Sequence, residues 1–300
     1  MATYRYLHLD VFTDRALEGN QLAVFPEPQG LTTGRMQTIT REMNFSECTF
    51  IFPSEAPGTD VRMRIFTPYV EMPMAGHPTI GSTFALVHTG VIPYGARRFV
   101  FGLNVGPTPV DLEWKDSVLA FAWMTQLRPT FGPPVEARAA VAAAIGVTES
   151  DLVADLPVQE ITCGTPYVLV ALRDRAAVDR AFGDLAAFKR LPPGLAQMAM
   201  FLFAVDKNSS GTSVYSRMFA PDFGVMEDPA TGSASGPLGC YLVQHGLVSG
   251  QAAKEIVSHQ GVAMGRPSRI HIAIDGRPNA ITDVKVGGEA VLVGRGEIVV

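Results

Sequence analysis

Three groups of residues in this sequence have the types and spacing for chemistry. Two are small-residue loops, AGHPTIGS over 75–82 and EDPATGSASGP over 227–237, each running into a helical stretch. A helix start leaves backbone N–H groups without intrahelical partners at the positive end of the dipole, which makes it an anion site. Two such starts in one cleft suit a small substrate bearing a carboxylate. The loops also carry side chains: His77 beside Gly76 in the first, Asp228 and Ser233 in the second. Taken singly, each loop reads better as a simple tight turn with a Gly helix start. Neither has a phosphate signature, because no GxxxxGKS/T and no GxGxxG in a strand–helix context occurs. The third group centres on Glu47, in NFSECTFIF, flanked by Phe45, Cys48 and Phe50. Such a Glu is either an exposed strand-end residue, which the pattern alone favours, or a desolvated carboxyl with a raised pKa. The second kind accepts and returns protons near neutral pH. His8, His88, His245, His259 and His271 read as structural or surface histidines.

These residues need elements to hold them. Alternation predicts strands at YRYLHLDVF, QLAVF, ECTFIFP and VRMRIFTP, with a helix over LTTGRMQTITREMN that Thr32 or Thr33 caps. The first small-residue loop opens a helix through TFALVHTG, and RRFVFGLNVG, TPVDLEWKDS and VLAFAWMTQ follow as strands. The proline-rich LRPTFGPP (127–134) is the best linker candidate. Beyond it come a helix in VEARAAVAAAIGV and strands in TPYVLVAL, MAMFLFAVD and TSVYSRMFAP. The second loop precedes the helical LGCYLVQHG, and four more strands close the chain. The halves share a layout: Phe66-Thr67-Pro68 and Phe219-Ala220-Pro221 end corresponding strands 153 residues apart (219 − 66), and LVHTG and LVQHG end corresponding helices 156 apart (246 − 90). A pseudo-repeat of two facing domains brings both loops to one cleft.

Composition narrows the function. Lys+Arg total 24 against 29 Asp+Glu, a net charge of −5 with no dense basic run, so no nucleic-acid footprint is present. The apolar runs are too short to span a bilayer, and the N-terminus lacks a basic region followed by an apolar one. The reading is a soluble, cytoplasmic protein with no membrane partner. Its three cysteines, Cys48, Cys163 and Cys240, form no metal or disulfide pattern. Charged residues are only 18% of the chain against about 25% in an average soluble protein, which points to apolar surface covered by a partner or a second copy of the chain.

The segments DVFTDRALEGNQLAVF, NFSECTF, RIFTPYVEMPMAGHPTIGS, EDPATGSASGPLGCYL and HQGVAMGRPSRI span nearly the whole chain. Together they resemble the phenazine-biosynthesis-like (PhzF) family. The resemblance implies a diaminopimelate-epimerase-like α/β (α+β) fold of two pseudo-symmetric domains, each a curved, mostly antiparallel sheet around a central helix. The domains are expected over 1–125 and 126–300, with the last strand crossing back and the active site in the cleft. It implies cofactor-free, metal-free proton movement within a small carboxylic acid, the type activity being isomerisation of trans-2,3-dihydro-3-hydroxyanthranilate, by a homodimer. Carried over by motif, Glu47 is the catalytic acid/base, and His77, Asp228 and Ser233 line the proton path. Asn20, after Gly19, contacts the substrate, and the N–H groups of Gly76, Gly232 and Ser233 hold its carboxylate. Epimerase relatives place a cysteine in each loop; the corresponding positions here read as Ala75 and Pro229. Two residues, Cys48 and Met74, differ from the family pattern and are expected to flank the pocket. The alternatives are an amino-acid epimerase or racemase, and a catalytically silent binding homologue.

Overall fold

The computed structural model describes residues 1–206, 212–221 and 224–300. They form two compact units, Met1–Thr125 with Val286–Val300, and Gln126–Lys285. The first unit runs β1 (Thr3–Val11), β2 (Asn20–Phe25), α1 (Thr33–Met43), β3 (Glu47–Pro53), β4 (Val61–Phe66), β5 (Glu71–Met72), α2 (Gly76–His88), β6 (Arg98–Leu103), β7 (Gly106–Lys115) and β8 (Val118–Thr125). In the second unit come β9 (Thr130–Pro134), α3 (Arg138–Ala144), β10 (Gln159–Thr162), β11 (Pro166–Ala171), α4 (Arg175–Arg180), α5 (Leu185–Phe188), β12 (Ala199–Asp206), β13 (Ser213–Ala220) and β14 (Val225–Asp228). It continues through α6 (Gly232–Gln244), β15 (Ile256–Gln260), β16 (Ser268–Arg277) and most of β17 (Ala280–Gly288); β18 (Ala290–Val299) pairs antiparallel with β1. Among the described residues no helix is long and apolar enough to cross a membrane.

The sequence repeat is a repeat of topology. Antiparallel pairing joins β1 to β2 and β10 to β11, and parallel pairing joins β2 to β3 and β11 to β12. Next come β3–β4 and β12–β13, antiparallel, then β4–β6 and β13–β15, parallel, then β6–β7 and β15–β16, antiparallel. Each unit surrounds a central helix: α2 touches β1, β2, β3, β8 and β18, and α6 touches β10, β11 and β16. Both helices have 13 residues and are offset by 156 (232 − 76). The change from 153 to 156 therefore lies between the end of β13 and the start of α6.

Two sequence expectations need correcting. The stretches read as loops, AGHPTIGS and EDPATGSASGP, are in large part the first turns of α2 and α6. Glycine, serine and proline are poor helix formers in water, but these helices are buried, and strands approach them too closely for larger residues. A Cβ on Gly81 would lie 2.6 Å from Leu22 and Val11 side chains, and one on Gly239 would lie 2.6 Å from Ile272. The LRPTFGPP stretch contains β9, which pairs with β10 despite Pro133 and Pro134. Its residues are mostly exposed, and prolines without N–H groups leave it a partial ladder.

Both units repeat a further device. Arg64 on β4 binds Glu71 on β5 through two bonds, Nε to Oε1 at 2.8 Å and Nη2 to Oε2 at 2.6 Å. Arg217 on β13 does the same to Glu227 on β14, at 2.8 and 2.7 Å. Each guanidinium also lies over a phenylalanine two residues on, Phe66 or Phe219. These forks fix the short strand that leads into each central helix. The Arg64 guanidinium holds Glu71 below the usual carboxylate range.

The packing makes two comparisons measurable by urea denaturation. Gly81→Ala should cost about 1–3 kcal/mol through overpacking, whereas Gly34→Ala, whose Cβ meets nothing within 4 Å, should be neutral or gain up to about 1 kcal/mol. Glu227→Gln should cost about 3 kcal/mol, because it strands the buried Arg217 charge. Glu71→Gln should cost less, about 1 kcal/mol, since Arg64 and Glu71 are each more than a fifth exposed.

Candidate active site

In the first unit, parallel pairing sets Leu22 of β2 opposite Glu47, the first residue of β3. Asn20 opens β2, so the two polar side chains sit at adjacent strand starts. His77 comes from α2, and its Nδ1 lies 3.2 Å from Asn20 Nδ2 and 3.3 Å from Glu47 Oε2. Ser46 Oγ donates to Asn20 Oδ1 over 3.1 Å. The Glu47 side chain is only 12% exposed and His77 3%, so Glu47 is not the exposed strand end that its sequence pattern favoured. The cause is α2, which packs over the face of β3 that carries Glu47 and Thr49; Thr49 Oγ1 meets Ser82 Oγ at 2.8 Å.

Burial pushes the His77 pKa down to about 3, outweighing a hydrogen bond to the Gln21 backbone that favours the charged ring. The imidazole is therefore neutral, and its contact with Glu47 is not an ion pair. His77 Nε2 is buried without a partner among the described residues. Alternation along β3 sends Cys48 to the opposite face, where it packs with Met36, Ile39 and Phe50. Its thiol, pushed up to about 12 by burial, does not line the Glu47 face, contrary to the sequence expectation.

In the second unit, Asp228 ends β14 and is 5% exposed. Its Oδ2 accepts from Thr231 Oγ1 at 2.6 Å. Gln260 ties the segment together: its Oε1 accepts from the Thr231 N–H, and its Nε2 donates to the Asp228 carbonyl and to Thr231 Oγ1. Ser233 Oγ and Tyr167 OH are 2.6 Å apart. Gly261 follows Gln260 at φ +74, where a Cβ would meet Arg266 O at 2.3 Å and Pro229 O at 2.5 Å, so only glycine fits.

Both central helices start uncapped. Ala75 has no side-chain acceptor, Thr231 spends its hydroxyl on Asp228, and neither first turn contains an acidic residue. Gly76 and His77 in α2, and Gly232 and Ser233 in α6, are first-turn positions whose N–H groups have no intrahelical acceptor. The structure thus brings Asn20, Glu47, Gly76 and His77 together in one unit, and Asp228, Gly232 and Ser233 together in the other. The helix register also corrects one assignment: the counterpart of Ala75, the α2 N-cap, is Thr231 rather than Pro229. Ser46, Thr231, Gln260 and Tyr167 escaped the sequence reading. Of these only Ser46, adjacent to Glu47, carried a local signal.

A family model described as phenazine biosynthesis-like protein matches residues 9–296. The chain is 36% identical over 300 residues, 99% of both chains, to a trans-2,3-dihydro-3-hydroxyanthranilate isomerase of Pseudomonas chlororaphis. Among solved structures it is similar to a PhzF-family phenazine biosynthesis protein of Bacillus anthracis, with TM-score 0.89 and 25% identity over 100% of both chains. A hydroxyproline epimerase of Agrobacterium vitis shares the fold, with TM-score 0.68 at 12% identity over 99% of this chain and 92% of that one.

The neutral His77 makes stability depend on pH. Its folded pKa lies below the unfolded value near 6.5, so the contribution is complete above pH 6.5 and is lost as pH falls towards 3. Urea midpoints at pH 7.5 and 4.5 should fall more steeply with acid in the wild type than in His77→Gln. The difference is bounded by about 1.4 kcal/mol per pH unit for one proton.

Proposed function

Because the chain belongs to the phenazine biosynthesis-like protein family and is an isomerase of the PhzF type, we propose that it moves a proton within a small carboxylic acid resembling trans-2,3-dihydro-3-hydroxyanthranilate, with Glu47 as general acid/base. The observation that carries this reading is the Glu47 carboxylate itself, largely buried and set against a neutral imidazole. A carboxylate in water is a weak base for carbon; one with few waters around it holds a proton more readily, because burial disfavours its charged form.

On this reading Glu47 removes a proton from an acidic C–H, the electron pair shifts along the conjugated system, and the same carboxyl returns the proton to another carbon. No electron or group leaves the substrate, so the proposed reaction calls for no cofactor. A carboxylate-binding role is assigned to the uncapped helix starts of each unit taken by itself, the N–H group of Gly76 in the first and those of Gly232 and Ser233 in the second. The partnerless His77 Nε2 is assigned to an oxygen that gains charge as the proton departs. Asn20 orients His77, while Asp228 is held through Thr231 and Ser233 through Tyr167. A racemase with one thiol on each face of its substrate is disfavoured by the two N-cap positions, which hold Ala75 and Thr231.

The test is proton NMR in deuterated water with trans-2,3-dihydro-3-hydroxyanthranilate. The wild type should convert it with deuterium incorporation, and Glu47→Gln should lose conversion and exchange by about 10²–10⁴-fold while keeping its circular dichroism spectrum. Equal rates for Glu47→Gln and wild type would refute the assignment. Inversion of an amino acid without conversion of the cyclic acid would favour the racemase instead.

A further inference from the structure

Thr231 is the N-cap of α6. Threonine is a residue type that caps helices well, its hydroxyl accepting from the N–H groups two or three positions on. Here it makes no such bond, because the hydroxyl is engaged elsewhere. Gln260, fully buried at the end of β15, reaches the turn before α6 with its side-chain amide. Two backbone groups that cannot exchange roles fix the orientation of that amide. The Thr231 N–H, which only donates, meets Oε1 at 3.0 Å, and the Asp228 carbonyl, which only accepts, meets Nε2 at 2.7 Å. The other hydrogen of Nε2 goes to Thr231 Oγ1, 2.9 Å away. Thr231 Oγ1 therefore accepts from Gln260, and its own hydrogen is directed to Asp228 Oδ2 at 2.6 Å. A cap needs the hydroxyl as an acceptor, and that is the function Gln260 occupies.

We propose that Gln260 is a positioning residue: it holds the Thr231 hydroxyl on Asp228 and away from α6, which anchors the Asp228 side chain and keeps the Gly232 and Ser233 N–H groups open to the substrate carboxylate. The inference rests on the proposed reading of the α6 start as a carboxylate contact. Gln260 itself acts through Thr231. The first unit supplies an independent observation, because there the same helix end is left open by different means. The N-cap of α2 is Ala75, which has no side-chain acceptor. Both central helices thus forgo the stabilisation that a capping side chain brings, one for want of a hydroxyl and one because its hydroxyl is diverted. A ligand that takes those N–H groups supplies the reason in both units.

The test pairs steady-state kinetics of the whole protein on trans-2,3-dihydro-3-hydroxyanthranilate with crystal structures of the variants. In Gln260→Met the Thr231 hydroxyl should turn to the Ser233 or Ala234 N–H, and KM should rise about fivefold, the worth of one capping bond. Adding Thr231→Val removes the hydroxyl that closes the helix start, so KM should return towards the wild-type value while kcat stays low. Damage to the fold alone would make the two substitutions add instead. Thr231→Val by itself should lower kcat about tenfold with KM little changed, since Asp228 loses its anchor, and Thr231→Ser should restore it. Gln260→Asn, one methylene too short to reach both backbone groups, carries the same expectation should Gln260→Met not fold. A Thr231 hydroxyl that stays on Asp228 in the Gln260 variant, or a double variant with KM no better than the single one, would overturn the proposal. If Glu47→Gln loses conversion in that case, the proposed function stands without it. If the hydroxyl turns to α6 as expected and KM does not move, the α6 start does not hold the substrate carboxylate, and that part of the functional reading fails. If the wild type leaves the acid unconverted, the functional reading fails by itself, and the position of the Thr231 hydroxyl still decides whether Gln260 diverts it.

Discussion

A helix with no solvent-facing side imposes most of what is distinctive in this chain. α2 is buried from Gly76 to Thr83, and α6 from Gly232 to Val243. Strands can close around such a helix only if its side chains are small, which explains the Gly, Ser, Thr and Ala content of both. The polar members turn inward on their own backbone: Thr79 and Thr83 in α2, and Ser235 in α6, each donate to the carbonyl four residues earlier. A hydroxyl so engaged costs little to bury. The helix start remains the place where N–H groups lack intrahelical acceptors, so the packing that stabilises each unit also sets the helix end to which the proposed carboxylate contacts are assigned.

The two units share this scaffold and differ in what it carries. Their strand pairings agree, and the Arg64–Glu71 and Arg217–Glu227 forks occupy equivalent strands. Yet the second helical position is His77 in one unit and Ser233 in the other. At the start of the strand that holds Glu47, the second unit has Ala199. The repeat is therefore symmetric where it answers to packing and asymmetric where it answers to chemistry. A scaffold with one buried carboxylate at this position is suited to a single base that both takes and returns a proton, the kind of step that Glu47 is proposed to perform.

Much of this was legible in the sequence because alternation and turn residues report strands faithfully; β1 to β4, β6 to β8 and β11 to β13 fall where apolar and polar residues alternate or run together. The helix starts were less legible, since intrinsic propensity describes a solvated helix and Gly76–Thr83 has none of its signs. Burial reversed that preference. Glu47 was misjudged for a related reason: its exposure depends on α2 lying over β3, a contact made by residues almost thirty positions downstream, and no local pattern encodes it. Cys48 shows the same limit in reverse. Being next to Glu47 in sequence suggested a shared pocket, but the period of a strand places neighbours on opposite faces. Thr231 and Gln260 emerged only from the helix register and from bonds spanning 29 residues or more.

The low charge content acquires a physical sense at the proposed site. An anionic substrate is commonly met by arginine, but a full positive charge near Glu47 would stabilise its ionised form and make it a poorer base. Arg64 and Arg217, which lead towards the two helix starts, are each committed to a glutamate. The helix ends offer something weaker and more local. Each is equivalent to about half a charge, and its effect falls off within the first turn. Backbone N–H groups can thus hold a carboxylate by short directed bonds while leaving the base beside them basic. A neutral His77 extends the same economy, since it places no cation next to Glu47.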